Sequence, residues 1–118
     1  MPSDHADLRR WLGDIQYHIV LAHGFVAGAN YETFRDGLRT VHAVIRCLEI
    51  ISKASRRLPD SLKSRHVAIQ WCDMAAAGNI YRHEYEDVAA HEVWDTLCLH
   101  LPQLHAVVEQ ELAALGDA

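Results

Sequence analysis

Residues 31–57 read YETFRDGLRTVHAVIRCLEIISKASRR, and an apolar side chain recurs in this stretch at every third or fourth position. Residues three and four apart lie on one side of an α-helix, so this period is typical of a helix with one apolar face. Pro59 follows shortly afterwards and cannot continue a helix interior. The stretch therefore predicts one long amphipathic helix whose apolar face is formed by Phe34, Leu38, Val41, Ile45, Leu48 and Ile51.

The same helical period continues on both sides of this stretch. Further helices are expected from a cap at Ser3 or Asp4 to Gly28, at 60–65, from Ile69 to His83, and from Ala89 onward with a kink at Pro102. Four main helices joined by short loops predict an all-α fold, an antiparallel four- to five-helix bundle. The 118 residues are enough for a single domain, which we assign to residues 1–118.

Composition favours a compact protein, because half of the residues are hydrophobic and Gly and Pro are few. No apolar run approaches the roughly 20 residues that span a bilayer, and the N-terminal residues are polar where a signal peptide is apolar. A cytoplasmic protein without a membrane segment is expected. The three cysteines, Cys47, Cys72 and Cys98, have no C-x-x-C spacing and lie in apolar helical contexts, which predicts reduced thiols in the core.

Charge is distributed unevenly along a chain whose formal net charge is −5. Residues 35–65 carry eight bases and three acids, whereas residues 66–118 carry one base, Arg82, and nine acids. Such a basic helix either binds RNA phosphates or attracts an acidic neighbouring helix within the fold. The candidate phosphate-binding residues are Arg46, Lys53, Arg56 and Arg57.

Residues 78–85, GNIYRHEY, gather a histidine, an arginine, an amide and a phenol within about two helical turns. His83 offers a proton-transfer group and Arg82 a fixed positive charge, which together allow a phosphodiester to be broken without a metal. The competing interpretation is a helix-end histidine that stabilises the helix dipole. No metal site is expected, because His18 and His23 are five residues apart, a poor spacing for ligands on one helical face.

The order and spacing of several motifs resemble the HepT-like branch of the HEPN superfamily over nearly the whole chain. These motifs are Ala43–Ile51, Leu58-Pro59, His66, Trp71, Gly78-Asn79, His83-Glu84-Tyr85, Val93-Trp94 and Leu101-Pro102-x-Leu104. The resemblance implies a helical bundle that dimerises and places an Arg-x4-His-x-Tyr motif in a cleft between protomers. It also implies RNA as the substrate and a partner, an MNT-type nucleotidyltransferase antitoxin that attaches AMP to the motif tyrosine.

Carried over by position, the resemblance makes His83 the catalytic histidine, Tyr85 the AMP-accepting residue and Asn79 a polar residue of the site. Gly78 stands where the family has its arginine, and glycine can neither stabilise charge on phosphorus nor bind the RNA backbone. Arg82 is a candidate replacement, although consecutive helical residues diverge by about 100°. Two functions remain open: a metal-independent endoribonuclease toxin, and a catalytically degenerate dimer that serves as a binding subunit of the nucleotidyltransferase.

Overall fold

The protein is described by a computed structural model that covers residues 2–77 and 86–116. This part of the chain is helical and contains no strand, so the predicted all-α bundle is confirmed. Its helices are α1 (Pro2–Phe25), α2 (Tyr31–Asp36), α3 (Leu38–Arg57), α4 (Asp60–Arg65), α5 (Trp71–Ala76), α6 (Glu86–Asp95) and α7 (Leu101–Leu115), with a π-helical turn at Thr96–His100. None of these helices combines the length and apolar character needed to cross a bilayer.

The core lies where α1 packs against α3 and α7. Its fully buried side chains lie mostly on the apolar side of the long helices, because one side of each helix is apolar and the other polar. The largest of them are Phe34, Leu12, Ile15, Ile19, Leu48, Ile51, Leu62, Leu97, Leu101, Leu104, Val44 and Val93.

The predicted helix over 31–57 is in fact two helices, which meet at Gly37. Gly37 has φ −95° and ψ 83°, outside the helical region, and glycine is the poorest helix former apart from proline. The Asn30 side chain caps α2 by accepting from the Thr33 amide, and Phe34 then packs on Trp94 of α6 with ring centroids 5.2 Å apart. The break lets α2 face α6, and it leaves Leu38, predicted as a core residue, 56% exposed.

Other predicted boundaries shift by a few residues. The first helix begins at Pro2, ahead of the predicted cap at Ser3 or Asp4. The helix predicted to begin at Ile69 is α5, which begins two residues later at Trp71. The last helix begins at Glu86 and continues past Pro102 through the π-helical turn. Proline has no backbone N–H to donate, and a wider turn just before it absorbs the missing hydrogen bond without ending the helix.

The prediction that all three cysteines are core thiols is wrong for two of them. Cys47 is buried on α3, and burial raises the pKa of its thiol. Cys72 on α5 and Cys98 in the π-helical turn are exposed, because each lies on the side of its helix that faces away from the core. Apolar neighbours in the sequence therefore did not report which face of the helix each cysteine occupies.

A polar cluster joins the end of α4 to α7. The Glu111 carboxylate accepts from the Arg65 guanidinium, with Nη2 to Oε1 at 2.7 Å and Nε to Oε2 at 3.3 Å. His66 Nε2 lies 2.6 Å from Glu111 Oε2. The hydrogen bond from Arg65 and then that from His66 hold the pKa of Glu111 below its usual range, against the opposing effect of burial. Glu111 is thus a buried charge whose hydrogen bonds are supplied by the neighbouring helix.

Candidate functional site

The predicted catalytic residues Asn79, Arg82 and His83, and the predicted AMP acceptor Tyr85, lie outside the described residues. The flanking helices on both sides are described: α5 ends at Ala76 and α6 begins at Glu86. The described elements that flank the motif in the sequence are therefore α5 and α6.

The last turn of α5 is hydrogen-bonded to α3. Ser52, which is buried, donates from Oγ to the Ala75 carbonyl at 2.6 Å, and Arg56 donates from Nη1 to the same carbonyl at 2.9 Å. The carbonyls in the last turn of a helix have no partner within that helix, so these two donors supply one. They hold the end of α5, three residues before Gly78, against the C-terminal half of α3.

This contact gives Arg56 a structural role beside the one predicted for it. The sequence suggested that Arg56 holds RNA phosphate, whereas at least one of its five N–H donors is committed to the Ala75 carbonyl. Arg57, the next residue, points about 100° further round the helix and lines a different surface. Adjacent arginines on α3 therefore serve two faces, one toward α5 and one toward α1.

A basic groove runs between α1 and α3 and encloses about 370 Å³. Three of the four residues predicted to bind RNA, Arg46, Lys53 and Arg57, line it together. The sequence did not predict its fourth cation, Arg10, which comes from α1. We call this surface the basic groove; its lining residues are Arg10, Trp11, Asp14, Arg46, Glu49, Ile50, Lys53, Ala54 and Arg57.

Four cations and two carboxylates line the basic groove, in a chain whose overall charge is negative. Arg46 is paired with Glu49 at 4.0 Å, a loose and exposed contact. Arg10 is paired with Asp7 at 3.3 Å, outside the groove lining. Exposed pairs of this kind are weak, so their cations can exchange a carboxylate for a phosphate at little cost. The groove is suited to an anionic ligand.

A second cavity, of about 240 Å³, lies between α5 and the arm formed by α6 and the π-helical turn. Three carboxylates, Asp73, Glu92 and Asp95, line it together with His100 and Ala77. The buried Oε2 of Glu92 has no hydrogen-bond partner within the described part of the chain. With three carboxylates in its lining, this cavity is unsuited to phosphate, unlike the basic groove between α1 and α3.

Two described histidines contact backbone carbonyls rather than one another. In residues 2–77 and 86–116, no three His, Cys, Asp or Glu side chains come together as metal ligands do. His23 Nε2 instead lies 2.9 Å from the Leu97 carbonyl, and His18 Nδ1 lies 2.7 Å from the Asp14 carbonyl. These two histidines bind backbone oxygens in different parts of the bundle.

Comparison with known proteins identifies the family. The family model described as "Ribonuclease HepT-like" matches residues 15–111. The chain belongs to the HepT-like ribonuclease family. The match includes residues 78–85, so the motif of this HepT-like chain lies within the part that the family model covers. The resemblance that the sequence motifs indicated is thereby confirmed.

Three relatives of the HepT-like chain are named as ribonucleases. "Probable ribonuclease HepT" of Thermococcus cleftensis is 34% identical over 93% of this chain and 97% of its own length. A "Putative RNase" of Methanocaldococcus jannaschii is 27% identical over 94% and 96%. Another, from Caldanaerobacter subterraneus subsp. tengcongensis, is 30% identical over 74% and 78%. No solved structure matches the HepT-like chain.

Proposed function

We propose that this HepT-like chain is a metal-independent endoribonuclease that acts as the toxin of a toxin–antitoxin system in the cytoplasm. The proposal is supported by its membership of a family named for ribonuclease activity. The observation that carries it in this chain is the basic groove between α1 and α3, which brings together Arg46, Lys53 and Arg57. The groove offers the phosphates of RNA a cationic surface on a chain whose net charge is negative.

The proposed chemistry needs one proton acceptor and one proton donor. A neutral His83 takes the proton from a ribose 2′-hydroxyl, and the 2′-oxygen then attacks the adjacent phosphorus. The bond from phosphorus to the 5′-oxygen breaks, and a protonated His83 of a second copy gives that oxygen its proton. The products are a 2′,3′-cyclic phosphate and a 5′-hydroxyl. A homodimer would supply both histidines.

The remaining predicted residues would stabilise charge. Asn79 is four residues from His83 and would share its helical face, so its amide would donate to a non-bridging phosphate oxygen. Arg82 would stand in for the family arginine that Gly78 replaces. Arg46, Lys53 and Arg57 would bind flanking phosphates, and Arg56, on the face of α3 toward α5, would contact a phosphate there through the N–H groups that Ala75 does not use. That last assignment makes Arg56 a residue with two tasks.

Control of the activity would come from an MNT-type nucleotidyltransferase. Transfer of AMP from ATP to the Tyr85 phenol, with release of pyrophosphate, would place a negative phosphodiester and a purine where RNA must lie. The test is the intact mass of the HepT-like chain after co-expression with the cognate nucleotidyltransferase. A gain of one AMP that is lost in Tyr85→Phe is expected, and an unchanged mass in the parent would refute modification.

The alternative is a catalytically degenerate HEPN dimer that serves as a non-enzymatic binding subunit of the nucleotidyltransferase. The observation that favours it is Gly78, because this residue removes the positive charge that the family places beside the reacting phosphate. Under this alternative the basic groove still binds RNA, but no cleavage follows.

RNA cleavage in EDTA distinguishes the two functions. The parent chain, shown by intact mass to carry no AMP, is compared with His83→Ala and with His42→Ala, a matched loss of an exposed histidine on α3. If the chain is a ribonuclease, the parent and His42→Ala are expected to cleave the RNA, and His83→Ala is not. Absence of cleavage by all three folded proteins would refute the nuclease, and recovery in Gly78→Arg would locate the defect.

A further inference from the structure

Ser52 is buried in α3, and its hydroxyl binds a different helix. Serine hydroxyls inside helices usually donate to a carbonyl one turn back in the same helix. Ser55 donates in this way to the Ser52 carbonyl at 2.8 Å, and Ser64 donates to the Asp60 carbonyl at 2.9 Å. Ser52 instead donates to the Ala75 carbonyl of α5, 23 residues away in the sequence, at 2.6 Å. The Ser52 hydroxyl therefore joins two helices.

The position of α5 depends on such contacts. This helix has six residues, and isolated helices below about 12–15 residues are marginal in water. Near its beginning, Trp71 Nε1 donates to two carbonyls at the end of α4. Near its end, the Ala75 carbonyl accepts from Ser52 and Arg56. Neighbouring helices thus hold α5 at both ends.

The two donors to the Ala75 carbonyl differ in exposure. Ser52 is 1% exposed, so water does not compete for its hydroxyl. Arg56 is exposed, and in the proposed function it also contacts a phosphate. Ser52 is too deeply buried to touch RNA. An effect of Ser52 on a reaction with RNA must therefore pass through α5.

The chain continues from the end of α5 into residues 78–85, which contain the predicted catalytic residues. Reacting groups need precise placement, and a misplacement of about 1 Å can lower a rate about 100-fold. Residues that do not touch the substrate supply this precision when they hold the element that leads to the reacting groups. Ala75, which Ser52 holds, lies three residues before Gly78.

We infer that Ser52 is a positioning residue of the proposed ribonuclease. Its hydrogen bond to the Ala75 carbonyl fixes the end of α5, from which the chain enters the motif, and so supports the rate of cleavage without contacting RNA. The inference rests on the proposed function for the reaction, whereas the contact between α3 and α5 does not depend on it.

The test compares Ser52→Ala with Ser55→Ala in the full chain, each shown by intact mass to carry no AMP. Ser55 is the matched control, because it is also 1% exposed and its hydroxyl donates within α3. Each variant loses one buried hydroxyl, so similar losses of stability are expected in urea unfolding. RNA cleavage in EDTA gives kcat and KM, and amide hydrogen exchange of residues 71–77 measures the opening of α5.

Ser52→Ala is expected to lower kcat about 10-fold and to leave KM unchanged, because the variant displaces α5 and removes no contact with RNA. Ser55→Ala should change neither quantity. Residues 71–77 should exchange faster in Ser52→Ala than in Ser55→Ala, because only the first variant loosens the end of α5.

Three results would overturn the inference: an unchanged kcat in Ser52→Ala, an equal loss of kcat in the two variants, or equal exchange of α5 in both. The second would mean that lost stability alone lowers the rate. Absence of cleavage by the parent would count against the nuclease, and the exchange rates would then decide whether Ser52 holds α5.

Discussion

Glu111 has a side chain only 9% exposed, and it carries the contact between α4 and α7. Glu111→Gln keeps its shape and removes its charge. Hydrogen bonds to a charged group contribute about 1.5–3 kcal/mol, against about 0.5–1.5 for neutral pairs. His66 is 11% exposed, so its bond to Oε2 is sheltered from water and should show this difference. Arg65 is more than half exposed, so water screens its ion pair with Glu111. We therefore assign this pair no contribution to the free energy of unfolding.

The expected cost of Glu111→Gln is therefore about 1–2 kcal/mol in the free energy of unfolding at pH 7. Glu109→Gln is the matched control, since Glu109 lies on the same helix and contacts His105 at 3.3 Å with 58% of its side chain exposed. That substitution should change the free energy of unfolding by less than about 0.5 kcal/mol. Urea unfolding followed by circular dichroism measures both values.

Low pH supplies a second and independent check. The folded-state pKa of Glu111 is lowered, so the unfolded chain takes up the proton first as the pH falls. The stabilisation is fully present above the unfolded value of about 4.3 and is lost as the pH falls through the lower folded value. Gln cannot titrate, so the gap between parent and Glu111→Gln should shrink below about pH 4. A gap that stays constant there, or is absent at pH 7, would refute the reasoning.

Two further predictions concern exposure and packing. Iodoacetamide should label Cys72 and Cys98 in the native protein and Cys47 only after unfolding. Cys98 should react more slowly than Cys72, because burial raises the pKa of the Cys98 thiol. Mass spectrometry of tryptic peptides measures this order, and rapid native labelling of Cys47 would contradict it. Leu104→Ala should lower the free energy of unfolding by about 2–5 kcal/mol, because it leaves a cavity in the core. Leu99→Ala, at an exposed position, should lower it by less than about 0.5 kcal/mol. Equal losses in urea unfolding would contradict the assigned burial.

The long helices of this fold were predictable because their apolar positions recur with the helical period and pack as that period requires. The break at Gly37 was not, because a single glycine in a helical pattern costs only about 1 kcal/mol against alanine. What decides the break is a distant partner, the Trp94 ring that Phe34 reaches once α2 turns away from α3. A pattern within one stretch contains no information about that partner.

The candidate site shows the same limit of sequence reasoning. The excess of bases over residues 35–65 indicated candidate phosphate-binding residues, and three of them, Arg46, Lys53 and Arg57, line one groove. The pattern could not separate Arg56 from Arg57, because the helix rotates them onto different faces. Nor could it supply Arg10, which joins the groove only because α1 packs against α3. The roles of Asn79, Arg82, His83 and Tyr85 remain predictions.

The π-helical turn at Thr96–His100 has a consequence for how chain length can vary. Leu97 and Leu101 follow Val93 at steps of four, and eight residues of regular α-helix would carry the third side chain about 80° round the axis. The wider turn corrects this phase, and all three remain buried. Deleting one residue here would leave seven steps between Val93 and Leu101, and seven α-helical steps end within about 20° of two full turns. The last helix can therefore lose one residue at this turn, by becoming regular α-helix, and still direct Leu104 and the rest of α7 into the core.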